Sequence, residues 1–224
     1  KNLQNAGVDA VMFGNENDRP YELNVNKASL STMAFMIGRV KDKLKIPFGV
    51  NVLWDPISTI ALAASTNAHF VREIFSGTYA SDMRIWSPDA GKAMRYRNSL
   101  GRKDLQMYYN ISAEFAYSLD RRTIAERAES TVFSSIPDAV LVSGQITGQS
   151  AKLDEIKEVS KKIPNVPVLA NTGVNLDNVE DILKVTDGVI IGSSLKYKSN
   201  TWNNVDPKRA KSFMTKVRAI RKNA

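Results

Sequence analysis

The chain has 224 residues, 43% of them hydrophobic and 24% charged, with 12 Gly, 8 Pro, no Cys and a formal net charge of +8. This is the composition of a soluble globular protein of one domain, and no apolar run approaches the roughly 20 residues of a membrane span. Without Cys there are no disulfides, thiolate nucleophiles or Cys-ligated metals; the first residues have no signal-peptide core, and the cytoplasm is the expected compartment.

Short apolar runs alternate with helical patterns along the chain. The first predicted strand, Ala10 to Phe13, leads into Gly14, Asn15, Glu16, Asn17, Asp18, Arg19 and Pro20. Two carboxylates and two amides at a strand end are either acid, base or Mg²⁺ ligands, or a polar turn closed by Pro20. Leu30, Met33, Ile37, Val40 and Leu44 then make a helical stripe. The second strand, Phe48 to Leu53, carries Asn51 and ends at Trp54 and Asp55; Asp55 reads as a helix cap with Pro56 at the first helical position. His69, the sole histidine, stands at the entry of the third strand and reads as structural. That strand, Phe70 to Ile74, carries Arg72 and Glu73, one of which alternation turns inward, with an ion pair as the plain reading.

Phe75 to Ser87 is long for a loop between strand and helix and reads as a lid carrying Asp82, Arg84 and Trp86. Ser87 and Pro88 repeat the cap device, Arg95, Tyr96 and Arg97 lie on the helix behind, and Gly101 closes it. After the fourth strand, Gln106 to Ile111, the residues Asn110, Ser112 and Glu114 are spaced two apart and share one face if extended. Asp120 and Ser150 are predicted caps. Between them the fifth strand, Ala139 to Val142, leads to Ser143, Gly144, Gln145, Ile146, Thr147 and Gly148, a candidate ligand loop.

The sixth and seventh strands, Val168 to Ala170 and Val189 to Ile191, end in small residues and flank a helix capped by Asn175, with Leu176, Val179, Ile182 and Leu183 inward. Units joined this way resemble the last two of a (β/α)8 barrel of the phosphate-binding kind. Backbone N–H groups around Gly173, Gly192, Ser193 and Ser194 are then the expected phosphate ligands, with Lys196 as a compact cation and Asn171 beside them. In the final helix, Lys208 to Lys222, Ala210, Phe213, Met214 and Val217 form the inner stripe and leave the basic residues to solvent. No nucleic-acid motif accompanies that charge, and nucleic acid is not an expected partner.

Strict alternation implies a parallel sheet, either a barrel or an open doubly wound sheet, and the polar residues after almost every strand favour the barrel. Seven strands fall one short of eight, and Lys1 to Ala6 reads as the tail of a helix. The expectation is a single α/β domain over residues 1–224, a (β/α)8 TIM barrel of the ribulose-phosphate-binding type that lacks its first strand. One His and no Cys disfavour a Ser-His-Asp triad and zinc chemistry, and neither GxxxxGK[ST] nor GxGxxG occurs. Acid–base work falls to carboxylates, Lys196, Tyr or a metal-bound water, with Mg²⁺ as the candidate cofactor.

The segments GVDAVMFGNENDRPY, PFGVNVLWD, FVREIFSGTYASD, AVLVSGQITG and VPVLANTGV followed by DGVIIGSSLK together resemble the BtpA family, most closely its SgcQ-like branch. The resemblance runs over nearly the whole chain. It implies a phosphate-binding TIM barrel, an enzyme of carbohydrate metabolism, and a small phosphorylated ligand as partner, with a homo-oligomer allowed. The family name derives from a factor for photosystem I accumulation, so a non-catalytic assembly or regulatory role is the alternative. Glu16, Asp18 and Glu114 are the expected acid or base residues; Asn15, Asn51, Asp82, Asn110, Ser143 and Asn171 are the expected substrate ligands. The chain departs from the family pattern in three places. Many members have Asp-Val-x-Val-Lys-His where Asn110 to Phe115 stand here, a small residue is expected at Arg84, and the family's opening strand carries a His-x-x-Pro-Leu-Pro-Gly-like segment.

Overall fold

The computed structural model describes residues 1–144 and 150–223. The helix α1 (Asn2–Ala6) precedes β1 (Val11–Gly14), α2 (Lys27–Val40), β2 (Phe48–Asn51), α3 (Pro56–Thr66) and β3 (Phe70–Glu73). A hairpin of β4 (Tyr79–Ser81) and β5 (Arg84–Trp86) leads to α4 (Ala90–Ser99), β6 (Gln106–Asn110), β7 (Ala116–Ser118), α5 (Ile124–Ser135) and β8 (Ala139–Ser143). The last units are α6 (Leu153–Lys162), β9 (Val168–Asn171), α7 (Val179–Leu183), β10 (Gly188–Ile190) and α8 (Pro207–Asn223). The seven strands expected from apolar runs form one parallel sheet, ordered β1, β2, β3, β6, β8, β9, β10. Among the described residues β1 and β10 each pair on one side only, and a curled α/β sheet of the TIM-barrel type results.

Alternation sorts the side chains. Val50, Val71, Met107, Tyr109, Val140, Val142, Val168 and Ala170 are buried against the helices in two clusters. Their neighbours Phe70, Arg72, Tyr108, Asn110, Leu169 and Asn171 line a cavity of about 1290 Å³ inside the curl. Phe70 and Tyr108 stack there with ring centroids 5.0 Å apart. Gly49, opposite Phe70 in the register, has the Phe70 ring where its Cβ would stand, 2.2 Å away at the nearest atom. Only a residue without a side chain fits beneath that ring.

Helix punctuation explains both the agreements and the differences. Asp55 caps α3 through the Ser58 N–H at 2.9 Å, with Pro56 in the first turn. Ser87 does not cap α4: Asp89 does, and the Ser87 hydroxyl donates instead to the Gly77 carbonyl. Asp120 pairs with Arg122, while Thr123 and Glu126 form a reciprocal capping box on α5. Lys152 occupies the cap position of α6, and Ser150 donates to the Gly173 carbonyl. In each case a carboxylate or hydroxyl nearer the first helical turn reaches the N–H, or the predicted residue finds a tertiary acceptor first. Asn175 stands ahead of the N-cap of α7, Asn178, and accepts from the Asp177 and Asn178 N–H groups in the turn before that helix. Ala210, Phe213, Met214 and Val217 of α8 are buried, as their spacing implies.

Phe75 to Ser87 is not a loose lid. Its hairpin pairs with β7 from the loop after β6 in an antiparallel sheet, ordered β5, β4, β7. Trp54, Ile74, Tyr79, Trp86 and Ala113 form a small core that pins this sheet to the mouth of the curl. Arg84, where the family pattern expects a small residue, has φ +95°.

Candidate functional site

The C-terminal ends of the strands converge on one polar network. Arg72 of β3 points inward, where its guanidinium donates to Asn51 Oδ1 at 3.1 Å and to Glu114 at 2.6 Å. The expected pairing within the strand is therefore replaced by one 42 residues along the chain. Asn171 Nδ2 donates to the same Glu114 oxygen at 3.1 Å and to Ser143 Oγ at 2.7 Å. The Ser112 hydroxyl accepts from the Ser143 N–H at 2.6 Å and donates to Asn110. Five strands thus contribute to the network, and little water reaches it: Asn51, Arg72, Asn110, Ser143 and Asn171 are all buried. The Arg72–Glu114 pair keeps only 8% and 13% of its side-chain surface exposed. Low access to water strengthens such a pair and also raises the cost of breaking it.

Glu73 is the residue that sequence reasoning undervalued. It is 1% exposed and accepts from the Trp54 N–H at 3.1 Å, the Ile74 N–H at 2.9 Å and the Asn51 amide. Burial is the largest influence on its carboxyl and pushes it up to about 7; the Arg72 charge and the three donors pull the other way. A carboxylate inside a run as apolar as Phe70 to Phe75 was the available signal.

The predicted site residues fall into three groups. Glu114, Asn110, Asn171, Gly173, Gly192, Ser193, Ser194, Lys196 and Glu16 line the one cavity. Asn51 and Ser143 stand behind that lining as partners of Arg72 and Asn171. Asn15 ties the first loop to the second by accepting from the Leu53 N–H at 2.8 Å. Asp18 and Asp82 are exposed and lie outside the cavity lining, Asp18 in the first loop and Asp82 at the tip of the β4–β5 hairpin. Asn110, Ser112 and Glu114 do not share an extended face, because β6 ends at Asn110 and Phe115 turns the backbone at φ +56°. Gln145 to Gly148 of the predicted ligand loop lie outside the described residues. His69 sits at the opposite end, its Nδ1 accepting from the Phe48 N–H at 3.3 Å.

On the β10 side, Gly192 precedes a 3₁₀ turn at Ser193–Leu195. Ser194 Oγ donates to the Val174 carbonyl at 2.6 Å, and Lys196 Nζ donates to the Thr201 carbonyl in its own loop. A Cβ on Gly192 would meet no atom within 4 Å, so this turn opens onto empty space. Across the mouth the Arg19 guanidinium lies 3.9 Å over the Trp202 ring, joining the first loop to the last.

Fold and mouth together define a (β/α) barrel of the α/β class with a buried polar cluster at the C-terminal ends of its strands, the end where such barrels carry their sites. The chain belongs to the BtpA family, whose model matches residues 1–219. It is 43% identical to the sgc region protein SgcQ of Escherichia coli over 98% of this chain and 82% of that relative. It is 27% identical to the photosystem I biogenesis protein BtpA of Synechocystis over 95% of this chain and 75% of that relative. Among solved structures it is similar to phosphoribosyl anthranilate isomerase from Thermus thermophilus, with a TM-score of 0.63 at 10% identity, covering 98% of this chain and 92% of that one. The native KDPGal structure is similar too, at a TM-score of 0.64 and 15% identity over 99% of this chain and 87% of that one. At such identities the likeness shows the fold alone.

Proposed function

We propose that this chain is the barrel of an enzyme of carbohydrate metabolism acting on a phosphorylated sugar or similar small phosphate ester. The chemistry is of the isomerase, epimerase or aldolase type. The observation that carries the reading is the shared cavity: the Arg72–Glu114–Asn171 cluster and the open Gly192–Ser193–Ser194 turn line the same space. Backbone N–H groups of that turn, with Gly173, hold the phosphate, and Lys196 stands by as a cation. Glu114 is the acid or base, placed by Arg72 and Asn171, and Glu16 lines the same cavity. Asn110 and Asn171 orient hydroxyls. Asp18 and Asp82 have no part in this arrangement. Among the described residues no three His, Asp or Glu side chains converge on one point. If the reaction uses Mg²⁺, the mouth carboxylates Glu16 and Glu114 are the residues that would hold it together with the ligand's phosphate, and it would supply charge neutralisation there. Both structural relatives named above are barrels, and the isomerase by its name acts on a phosphoribosyl compound, which supports the phosphosugar reading.

The second reading is a non-catalytic assembly or regulatory factor, favoured by the likeness to the photosystem I biogenesis protein. A thermal-shift screen of sugar phosphates, nucleotides and inorganic phosphate, with and without Mg²⁺, separates the two. A ligand at about 100 times its Kd adds roughly 2.7 kcal/mol of stability. The enzyme reading expects stabilisation by a sugar phosphate that is lost in Gly192→Val, whose side chain fills the open space before the turn. No shift with any phosphate overturns the phosphate site and favours the second reading.

A further inference from the structure

Three aromatic rings carried by three different loops meet at the mouth. Tyr21 follows β1, Trp54 follows β2 and Phe115 follows β6. The Tyr21 and Trp54 ring centroids are 4.6 Å apart, and Phe115 lies 6.3 Å from the first and 6.2 Å from the second. All three line the cavity. Trp54 and Phe115 are both held at positive φ, 61° and 56°, a conformation that bulky side chains avoid. For Trp54 the burial of its ring in the small core under the β4–β5 hairpin accounts for this. Phe115 is 42% exposed, so packing does not account for it. Residues held in such conformations cluster at active sites and ligand clamps.

Carboxylates flank the rings. Glu114 precedes Phe115 in the chain, and the Tyr21 hydroxyl donates to the Glu16 carbonyl at 3.0 Å. That hydroxyl is pushed above its ordinary value by burial first, then by the negative charge of Glu16, opposed by Arg19, and also by Glu114. Both carboxylates are therefore within electrostatic reach of one ring.

We propose that Tyr21 and Phe115, backed by the buried Trp54 ring, form a stacking subsite for the apolar C–H face of a cyclic sugar, whose hydroxyls turn to Glu16 and Glu114. A sugar ring has an apolar face bounded by hydroxyl donors; aromatic faces take the first out of water, and carboxylates accept from the second. An open-chain polyol has no such face. The inference rests on the phosphosugar reading and narrows it to ring-form substrates.

The test is calorimetric titration of the protein and of Phe115→Gly and Phe115→Tyr with five probes: inorganic phosphate, glycerol 3-phosphate, a panel of pyranose and furanose phosphates, unphosphorylated methyl glycosides, and AMP. At least one ring phosphate binds tenfold or more tightly than glycerol 3-phosphate. Phe115→Gly loses that factor, keeps its affinity for inorganic phosphate and melts no lower than the parent, since glycine accepts the positive φ; Phe115→Tyr retains the factor. Equal affinity for ring and open-chain phosphates, or ring binding indifferent to Phe115→Gly, overturns the stacking subsite and leaves the phosphate site standing. Tighter binding of AMP than of any sugar reassigns the rings to a base and overturns the sugar assignment. If no phosphate binds, the phosphosugar reading falls by itself and the methyl glycosides decide: saturable, Phe115-dependent binding supports the subsite, and its absence overturns it.

Discussion

Glu73 makes stability depend on pH in a direction opposite to that of an ordinary surface carboxylate. Its carboxyl titrates at about 7 in the folded protein against 4.5 for the free group, because burial at the end of β3 disfavours the anion. Between pH 4.5 and 7 the unfolded chain has released this proton while the folded protein keeps it, so stability falls as pH rises through that window. Below 4.5 the whole contribution is present; above 7 it is gone. At about 1.4 kcal/mol per unit of displacement the loss is about 3 kcal/mol. The perturbation is Glu73→Gln, which cannot titrate, and the assay is urea denaturation of parent and variant at half-unit intervals from pH 4.5 to 8.5. The stability of the parent minus that of the variant should decline by about 3 kcal/mol across the window, whatever the fixed cost of the substitution. Subtraction cancels every other titrating group. A difference that stays flat within about 0.5 kcal/mol, well inside what such a shift requires, would show that the donors from Asn51, Trp54 and Ile74 outweigh burial and would refute the argument.

Arg72→Met leaves Glu114 without its guanidinium in a nearly dry site and should cost about 3–5 kcal/mol in urea denaturation, with part recovered by adding Glu114→Gln. Gly49→Val drives a side chain into the Phe70 ring and should cost at least the 1–3 kcal/mol of an overpacked core, read as a lowered denaturation midpoint. Arg84→Gly removes a side chain from a residue at φ +95° and should stabilise by about 1 kcal/mol, raising Tm by about 2–4 °C; a fall in Tm would show that the arginine side chain itself holds the hairpin.

What the amino-acid order determined alone is the layout of the sheet. Each of the seven parallel strands is a short apolar run between helical stripes, and such a run is buried on one face by helices whatever else the chain does, so periodicity suffices to place it. The small residues after β9 and β10, and the polar residues after β1, β2 and β6, were legible for the same reason: strand ends are local. Partners were not. Arg72 meets Glu114 rather than its neighbour Glu73 because β6 pairs beside β3 and the loop after β6 then brings Glu114 within hydrogen-bond distance of the inward-facing guanidinium. Asp18 and Asp82 looked equivalent to Glu16 as loop carboxylates, yet only Glu16 lines the cavity, since a loop's chemistry depends on which way its backbone turns. Glu73 shows the same division most clearly. Its charge was visible in the sequence, but its proton affinity was set by the absence of water around it, a property of the packed tertiary structure and of no residue by itself.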